Sequence, residues 1–401
     1  MTAESLRVLV VHNRYRTEQP SGEDTVVDQE VELLREAGHR VDRFERRSDD
    51  ISSMSLPRKA MVPLTVPWNP AARTALAARL RAERPDIVHV HNTFPLLSAS
   101  VLDACRSAGV PVVATLHNYL QVCPSGTLYR DGATCTACVG KLPLPAVRHG
   151  CYRGSPLATV PLAVNLLANR RRWWSTVSRF LCISGAQRDT LVANGMPADL
   201  LTVKYNFVTD VGPRRTGPGE HLLYLGRLTE EKGVRLLMAA WDQLGGVGVP
   251  LVIAGAGPLC DEVARWAADR PSVRFVGLRS QAASRELVAR AVAVVVPSRW
   301  LETFGLVVVE AMAAGVPSVV AGHSSLAELV TDGVTGLTHT PGDSASLADA
   351  LRRVARAPAA LGDAARARYE RDFTRSVGLA NLVGNYRGVI EEASSGAQTV
   401  R

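Results

Sequence analysis

The 401-residue chain predicts an α/β protein built from two doubly wound parallel-sheet domains. Three observations carry that prediction. Short apolar runs alternate with helix-like stretches from residue 6 onward, the rhythm of parallel strands joined by crossover helices. A Gly/Pro-rich linker, NFVTDVGPRRTGPG at 206–219, interrupts the rhythm, which then restarts. The length suffices for two separate cores. The expected division is 1–205 and 206–374, with a final segment, 375–401, long enough to cross back onto the first domain.

In the first half, residues 6–12 (LRVLVVH) form an opening strand. The N-terminus is not a signal peptide, which places the chain in the cytosol. A helix is expected from about Thr25 to Ala37, a strand at 39–45, and an irregular connection at 52–67. Asp86–His91 is a third strand, Leu96–Ala108 a helix, and 110–115 a strand running into Leu116-His117-Asn118. Phe180–Ser184 and Leu201–Tyr205 close the sheet. Ligands of such sheets bind beyond the carboxyl ends of the strands, where His91 and His117 both sit. A structural hydrogen bond would also explain a histidine there. Ser21-Gly22 opens onto a helix N-terminus, where a phosphate can approach the backbone; a plain turn has the same spacing.

Charge is uneven. The net charge is +8, with 25 Lys/Arg against 18 Asp/Glu in 1–205 but 21 against 20 in 206–401. No acidic residue lies between Asp131 and Asp189, whereas seven arginines fall from Arg148 to Arg188. Such a field attracts a phosphorylated substrate or an anionic lipid surface. Nucleic acid is disfavoured, because few aromatics interleave with the arginines and no binding motif is present. Residues 156–174 (PLATVPLAVNLLANRRRWW) would suit a membrane interface, although a core helix with a solvated end is the preferred reading. No apolar run is long enough to span a bilayer.

Seven cysteines in a cytosolic chain are not a disulfide framework. Four of them are spaced Cys123-x11-Cys135-x2-Cys138-x12-Cys151 in a Gly/Pro-rich region. They resemble the four thiolate ligands of a structural zinc site; the alternatives are four unrelated thiols or oxidation to disulfides on isolation. A closed four-thiolate site has no open position for catalysis.

The second half holds the sharper motifs. Strand His221–Leu225 runs into GRLTEEKG, Gly226–Gly233, with Arg227 and Lys232 flanking a turn before a helix. Cations are ill placed against a helix N-terminus unless an anion lies between them, and a diphosphate is the natural one; solvent-facing charges tempered by Glu230 and Glu231 are the alternative. LVIAGAGP follows with Gly255, weak evidence by itself for a nucleotide turn. VRFVGL places Gly277 at a strand tip, where backbone groups would meet a base edge.

Residues 297–317, PSRWLETFGLVVVEAMAAGVP, lie between two further apolar strands. Glu302 alone could be a cap or dipole partner of the helix that follows. Glu310 is about two turns inside that helix, among Val308, Val309, Ala311 and Met312, where a charge is costly unless paired. Ribose or sugar hydroxyls would pair with it. The amides of Thr303, Phe304, Gly305 and Leu306 would suit a sugar-phosphate anion.

Together these residues resemble the retaining glycosyltransferases of family 4 over nearly the whole chain. The pattern PS-x3-E-x-FG-x4-EAMA-x-G-x-P carries most of the likeness, and GRL-x3-KG and AGAGP add to it. The resemblance implies a GT-B fold of two Rossmann-like domains. It also implies that Arg227 and Lys232 hold the donor diphosphate, Glu310 the ribose, and that Glu302 lies beside the transferred sugar. The amides of Thr303, Phe304 and Gly305 would contact sugar and phosphate, and His117 would reach an outer sugar hydroxyl. Gly22 falls in a phosphate-contacting glycine loop, although Ser21-Gly22 stands where the family has Gly-Gly.

The implied reaction moves a sugar from a nucleotide-sugar donor, UDP rather than GDP, to a hydroxyl acceptor with retention. Arg227 and Lys232 would stabilise charge building on the departing diphosphate, with no catalytic metal. The basic first domain would choose the acceptor: a saccharide, a lipid-linked or anionic saccharide, or a natural product. It is compatible with peripheral contact at the inner membrane face. A pseudo-glycosyltransferase coupling a non-sugar donor would carry the same motifs. Intact Glu302, Glu310, Arg227 and Lys232 argue against an inactive binding protein, and the missing dinucleotide fingerprint argues against an NAD-dependent oxidoreductase.

Overall fold

A computed structural model describes residues 5–17, 21–245, 248–356 and 359–399. In the first domain, β1 (Arg7–Arg14), β2 (Arg40–Arg47), β3 (Ile87–Val90) and β4 (Val112–Leu116) are followed by a small antiparallel hairpin, β5 (Tyr129–Arg130) and β6 (Ala133–Thr134). Strands β7 (Arg179–Cys182) and β8 (Leu201–Val203) then complete a six-stranded parallel sheet of order β2-β1-β3-β4-β7-β8. The second sheet holds β9 (His221–Leu225), β10 (Leu251–Ala254), β11 (Val273–Gly277), β12 (Ala291–Val296), β13 (Ser318–Ala321) and β14 (Gly336–His339). Its order is β11-β10-β9-β12-β13-β14, again all parallel. Leu223 pairs with Val294 across β9 and β12, and Val10 with His89 across β1 and β3.

Central strands such as β10 and β12 are continuous aliphatic runs because helices cover both faces of each sheet. All six residues of β12, AVAVVV, are buried. In the first sheet, Leu9, Val11, Val88 and Val90 pack into one core layer and Val8, Val10, Ile87 and Leu181 into the other. The second layer is completed by Tyr386 and Val389 of the C-terminal helix Arg375–Thr399, which crosses back onto the first domain. The buried Tyr386 hydroxyl lies 2.7 Å from His89 Nδ1.

The stretch 52–67 is not irregular. It lies in helices Asp50–Ser53 and Leu56–Thr65, and an unanticipated helix, Pro70–Glu83, follows. That helix starts at Asn69, whose side chain accepts from the Ala72 amide at 3.1 Å, with Pro70 in the first turn. Its buried face is only Ala72, Leu76 and Leu80, a thin apolar signal. The helix expected from Leu96 begins at Ser100, because the amides of Leu97 and Ser98 both bond back to the Thr93 carbonyl in a turn. The first helix spans Gly22–Glu36, starting early because Ser21 Oγ accepts from the Glu23 amide at 3.2 Å.

Strand order reverses between β1 and β3 and between β9 and β12, and crevices open outside the carboxyl ends of strands at such switch points. The two crevices face each other. Thr303 Oγ1 of the second domain donates to the His117 carbonyl of the first at 3.0 Å, and Ser184 Oγ donates to the Thr303 carbonyl at 2.8 Å. Glu328 accepts from the amides of Gly185 and Ala186 at 3.0 and 2.8 Å, a carboxylate on a helix N-terminus.

Candidate active site

At the switch point of the second domain, the turn after β9 meets the loop after β12. Glu302 is 6% exposed. Its Oε1 accepts from Lys232 Nζ at 2.6 Å and from Ser298 Oγ at 2.6 Å. Burial works against the charge of this carboxyl, but Lys232, Ser298 and Trp300 outweigh it and hold the group below the usual carboxylate range. Lys232 Nζ also lies 5.1 Å over the Trp300 ring. The sequence pattern placed an anion between Arg227 and Lys232; here the anion at Lys232 is Glu302 itself. Arg227 differs. Its side chain is 61% exposed, and Glu231 is 3.9 Å away. Glu230 is engaged by Arg235 at 2.8 Å and by Arg299.

Gly226, Gly255 and Gly277 line one rim along the tips of β9, β10 and β11. The Gly226 amide bonds to the Ala254 carbonyl at 3.1 Å and the Gly255 amide to the Gly277 carbonyl at 2.9 Å. Gly255 has φ +150°, and a Cβ there would stand 1.9 Å from the Gly226 carbonyl oxygen. Only glycine fits. Beside the rim, Gly305 precedes the helix Leu306–Ala313, and the first-turn amide of Val308 bonds back to the Gly305 carbonyl at 2.9 Å. Glu310 is half-buried in that helix, next to buried Val309 and Ala311. Burial pushes its carboxyl up to about 7, and Arg285 offsets only part of the effect.

From the first domain, Gly22 approaches this helix. A Cβ at Gly22 would stand 3.0 Å from Leu306 Cδ1, so the close approach of the two domains favours glycine. Ser21 occupies extended backbone, φ −114° and ψ 130°, which serine adopts without strain. His117 follows β4 with its Nε2 3.0 Å from His91 Nδ1. His91 Nε2 lies 3.7 Å from Glu30 Oε2, and Lys204 Nζ pairs with Glu30 Oε1. Burial and the Lys204 charge push His89 and His117 well below the ordinary histidine range, and burial with the neighbouring imidazoles does the same to His91. The three rings are neutral at neutral pH.

Glu30, His89 and His91 are the one group of three among the described residues whose ligand atoms all lie within 4.8 Å. A dication there would sit against the buried Lys204 ammonium, so the group is an internal ion-pair network. Neither Glu30 nor Lys204 was singled out in the sequence, although Glu30 lies on the apolar face formed by Val27, Val31 and Leu34. A carboxylate on an aliphatic helix face is the same signal that Glu310 gives.

Beside His117 opens a cleft between the ends of β3 and β4 and the helix Pro156–Thr176. His91, His117, Asn118, Gln121, Asn165 and Arg170 supply its polar lining. Cys123, Cys135, Cys138 and Cys151 surround a separate small cavity with Leu128 and Val139, and none forms a disulfide. Burial raises the Cys138 and Cys151 thiols, and the neighbouring thiols add to it. The donor set suits zinc, but no three of these sulfurs lie within 4.8 Å of one another, so an ion would have to draw them together. The same segment reaches the second domain, where Arg299 Nη2 donates to the Gly132 carbonyl at 3.3 Å.

A family model described as Glycosyltransferase Family 4 matches residues 20–210, and one described as Glycosyl transferases group 1 matches 219–357. The chain belongs to glycosyltransferase family 4. Among similar proteins, the glycogen synthase of Mycobacterium tuberculosis is 34% identical over 301 residues, covering 73% of this chain and 65% of that protein. The chain therefore spans about two thirds of that relative's length. The phosphatidyl-myo-inositol mannosyltransferase of Mycobacterium leprae is 28% identical over 84% of each chain. Among solved structures, sucrose-phosphate synthase from Thermosynechococcus elongatus superposes with a TM-score of 0.71 at 18% identity, over 96% of this chain and 99% of that one. Anabaena HepE, solved with UDP and glucose, gives 0.67 at 19% identity over 96% and 100%. These likenesses show a shared GT-B fold.

Proposed function

We propose that this family-4 chain is a retaining glycosyltransferase that moves a sugar from a nucleoside-diphosphate sugar to a hydroxyl acceptor held in the first-domain cleft. The observation that carries the reading is the Lys232–Glu302 pair at one switch point, tied through Thr303 to the His117 carbonyl at the other, with Glu310 on the helix that follows. Arg227 is the exposed cation at the mouth of the donor crevice and reaches the diphosphate. Lys232 shares its ammonium between Glu302 and the phosphate nearest the sugar. Glu310, half-buried and raised by burial, gains two hydroxyl donors from the ribose, which stabilise its charged form. Neutral His117 offers the sugar an uncharged hydrogen bond.

In the reaction the bond from the anomeric carbon to the phosphate oxygen breaks, and the acceptor oxygen bonds to that carbon on the same face. The departing phosphate takes the acceptor proton. Arg227 and Lys232 stabilise negative charge that grows only in the transition state. The proposal assigns no step to a metal. UDP is the preferred nucleotide; HepE, of the same fold, was solved with UDP and with UDP-glucose.

The reading is tested by following slow donor hydrolysis by NMR with UDP-sugars in turn. One donor should release UDP, and the free sugar first formed should keep the donor's anomeric configuration. An inverted first product, or release from no nucleotide sugar, would overturn it.

The four cysteines have a separate assignment. We propose that their thiolates take one structural zinc ion that pins the segment between the acceptor cleft and Arg299.

A further inference from the structure

The large apolar side chains that stand in solvent are concentrated on one part of the first domain. Of twelve such residues among those described, nine lie between Leu56 and Leu167. Helix Leu56–Thr65 buries no residue at all, yet it carries Leu56, Met61 and Leu64, the first of them 81% exposed. On helix Pro156–Thr176 the exposed residues are Leu157, Val160, Val164 and Leu167. Their spacing of three and four puts them in one stripe. The other side of the same helix, with Leu162, Leu166 and Trp173, walls the cleft beside His117. Helix Leu56–Thr65 packs against this helix, and so does Leu144–Arg148, which brings exposed Leu142 and Leu144 alongside. The exposed apolar side chains thus sit on three helical segments that pack together, rather than being scattered singly over the surface.

Charge decides what covers it. No Asp or Glu occurs from residue 51 to 82 or from 132 to 188. Arg58, Lys141, Arg148, Arg153 and Arg171 lie in those stretches and are all exposed, with Arg171 continuing the stripe one turn beyond Leu167. A second copy of the chain would set like charges against each other in a two-fold contact. An anionic surface with an apolar interior matches both features at once.

We propose that this face docks on an anionic lipid bilayer, with the stripe Leu157–Val160–Val164–Leu167 at the boundary between headgroups and acyl chains and the cations on lipid phosphates. The long helix then lies between the bilayer and the cleft. A hydroxyl acceptor carried on a lipid would enter the cleft from the surface on which the protein sits; this clause rests on the proposed function, and the docking does not.

The test is co-flotation of the full chain with vesicles of phosphatidylcholine alone or mixed with phosphatidylglycerol. The wild type should float with the mixed vesicles and stay behind with the neutral ones. Leu157→Glu/Leu167→Glu should weaken association more than about tenfold, and Arg148→Ser/Arg171→Ser about fivefold per cation. Both pairs are exposed, so melting temperature and nucleotide-induced stabilisation should match the wild type, which separates this proposal from the fate of the donor site. Equal binding to neutral vesicles, no binding, or binding unchanged in both variants would overturn it. A dimer in sedimentation that Leu157→Glu/Leu167→Glu dissolves would assign the face to a second copy and overturn it as well.

Discussion

Lys232 Nζ and Glu302 Oε1 stand 2.6 Å apart at the junction of β9 and β12, with Ser298 Oγ on the same carboxylate oxygen. The pair is mostly withdrawn from water, with side-chain exposures of 22% and 7%. Lys232→Ala should therefore leave a buried carboxylate without its partner and cost about 3 kcal/mol of stability, seen in urea unfolding at neutral pH. The pH dependence follows from the lowered folded-state pKa of Glu302. In the wild type this group's contribution is present above the unfolded carboxylate value, about 4.3, and is lost as pH falls through the lower folded value. In Lys232→Ala the order inverts, so the deficit should shrink as pH drops toward 5. A deficit independent of pH would contradict the pairing.

Glu310 predicts a proton linkage on the ligand side. Its carboxyl is pushed up to about 7 in the free protein, and the ribose hydroxyls favour its charged form, so donor binding should release a proton near that pH. Affinity should rise with pH through about 7, up to about tenfold per unit below it, and level off above. Calorimetry from pH 6 to 8 reads this directly. Glu310→Gln should bind more weakly and give a flat profile; a flat wild-type profile would contradict the role.

Two rim glycines separate strain from crowding. Gly277 has φ +67° with open space where a Cβ would stand, so Gly277→Ala should cost only about 1–2 kcal/mol. Gly255→Ala places its methyl against the Gly226 carbonyl and should cost more, because the tips of β9 and β10 must part. Comparing their unfolding midpoints checks the order.

The cysteine assignment predicts about one zinc per chain by plasma emission spectrometry of protein purified without added metal. Cys138→Ser should lose most of it and lower the melting temperature, and a chelator should do the same to the wild type. Thiols that all react with a labelling reagent in metal-free native protein would overturn the assignment.

Much of this was legible in the chain, for identifiable reasons. Two-faced burial writes strands such as AVAVVV in aliphatic residues, and a charge inside an aliphatic helix, Glu310, announces itself. Pairings across the sheet order were not legible. Lys232 and Glu302 are 70 residues apart, and they meet because the chain lays down β10 and β11 on one side before β12 returns to β9. The histidines at the tips of β3 and β4 were visible, but their tie to Glu30 and Lys204 needs a helix, three strands and the C-terminal crossing in place together. Helix Pro70–Glu83 escaped because only Ala72, Leu76 and Leu80 make up its buried face.

The most direct measurement is a thermal-shift panel of UDP, GDP, ADP and TDP with their sugars, on the wild type, Glu310→Ala and Lys232→Ala. The account predicts stabilisation by one nucleotide family, UDP, worth about 2.7 kcal/mol at a hundred times its Kd and lost in Glu310→Ala. Stabilisation by no nucleotide, or a shift that both variants keep, would contradict a donor site at the β9–β12 crevice.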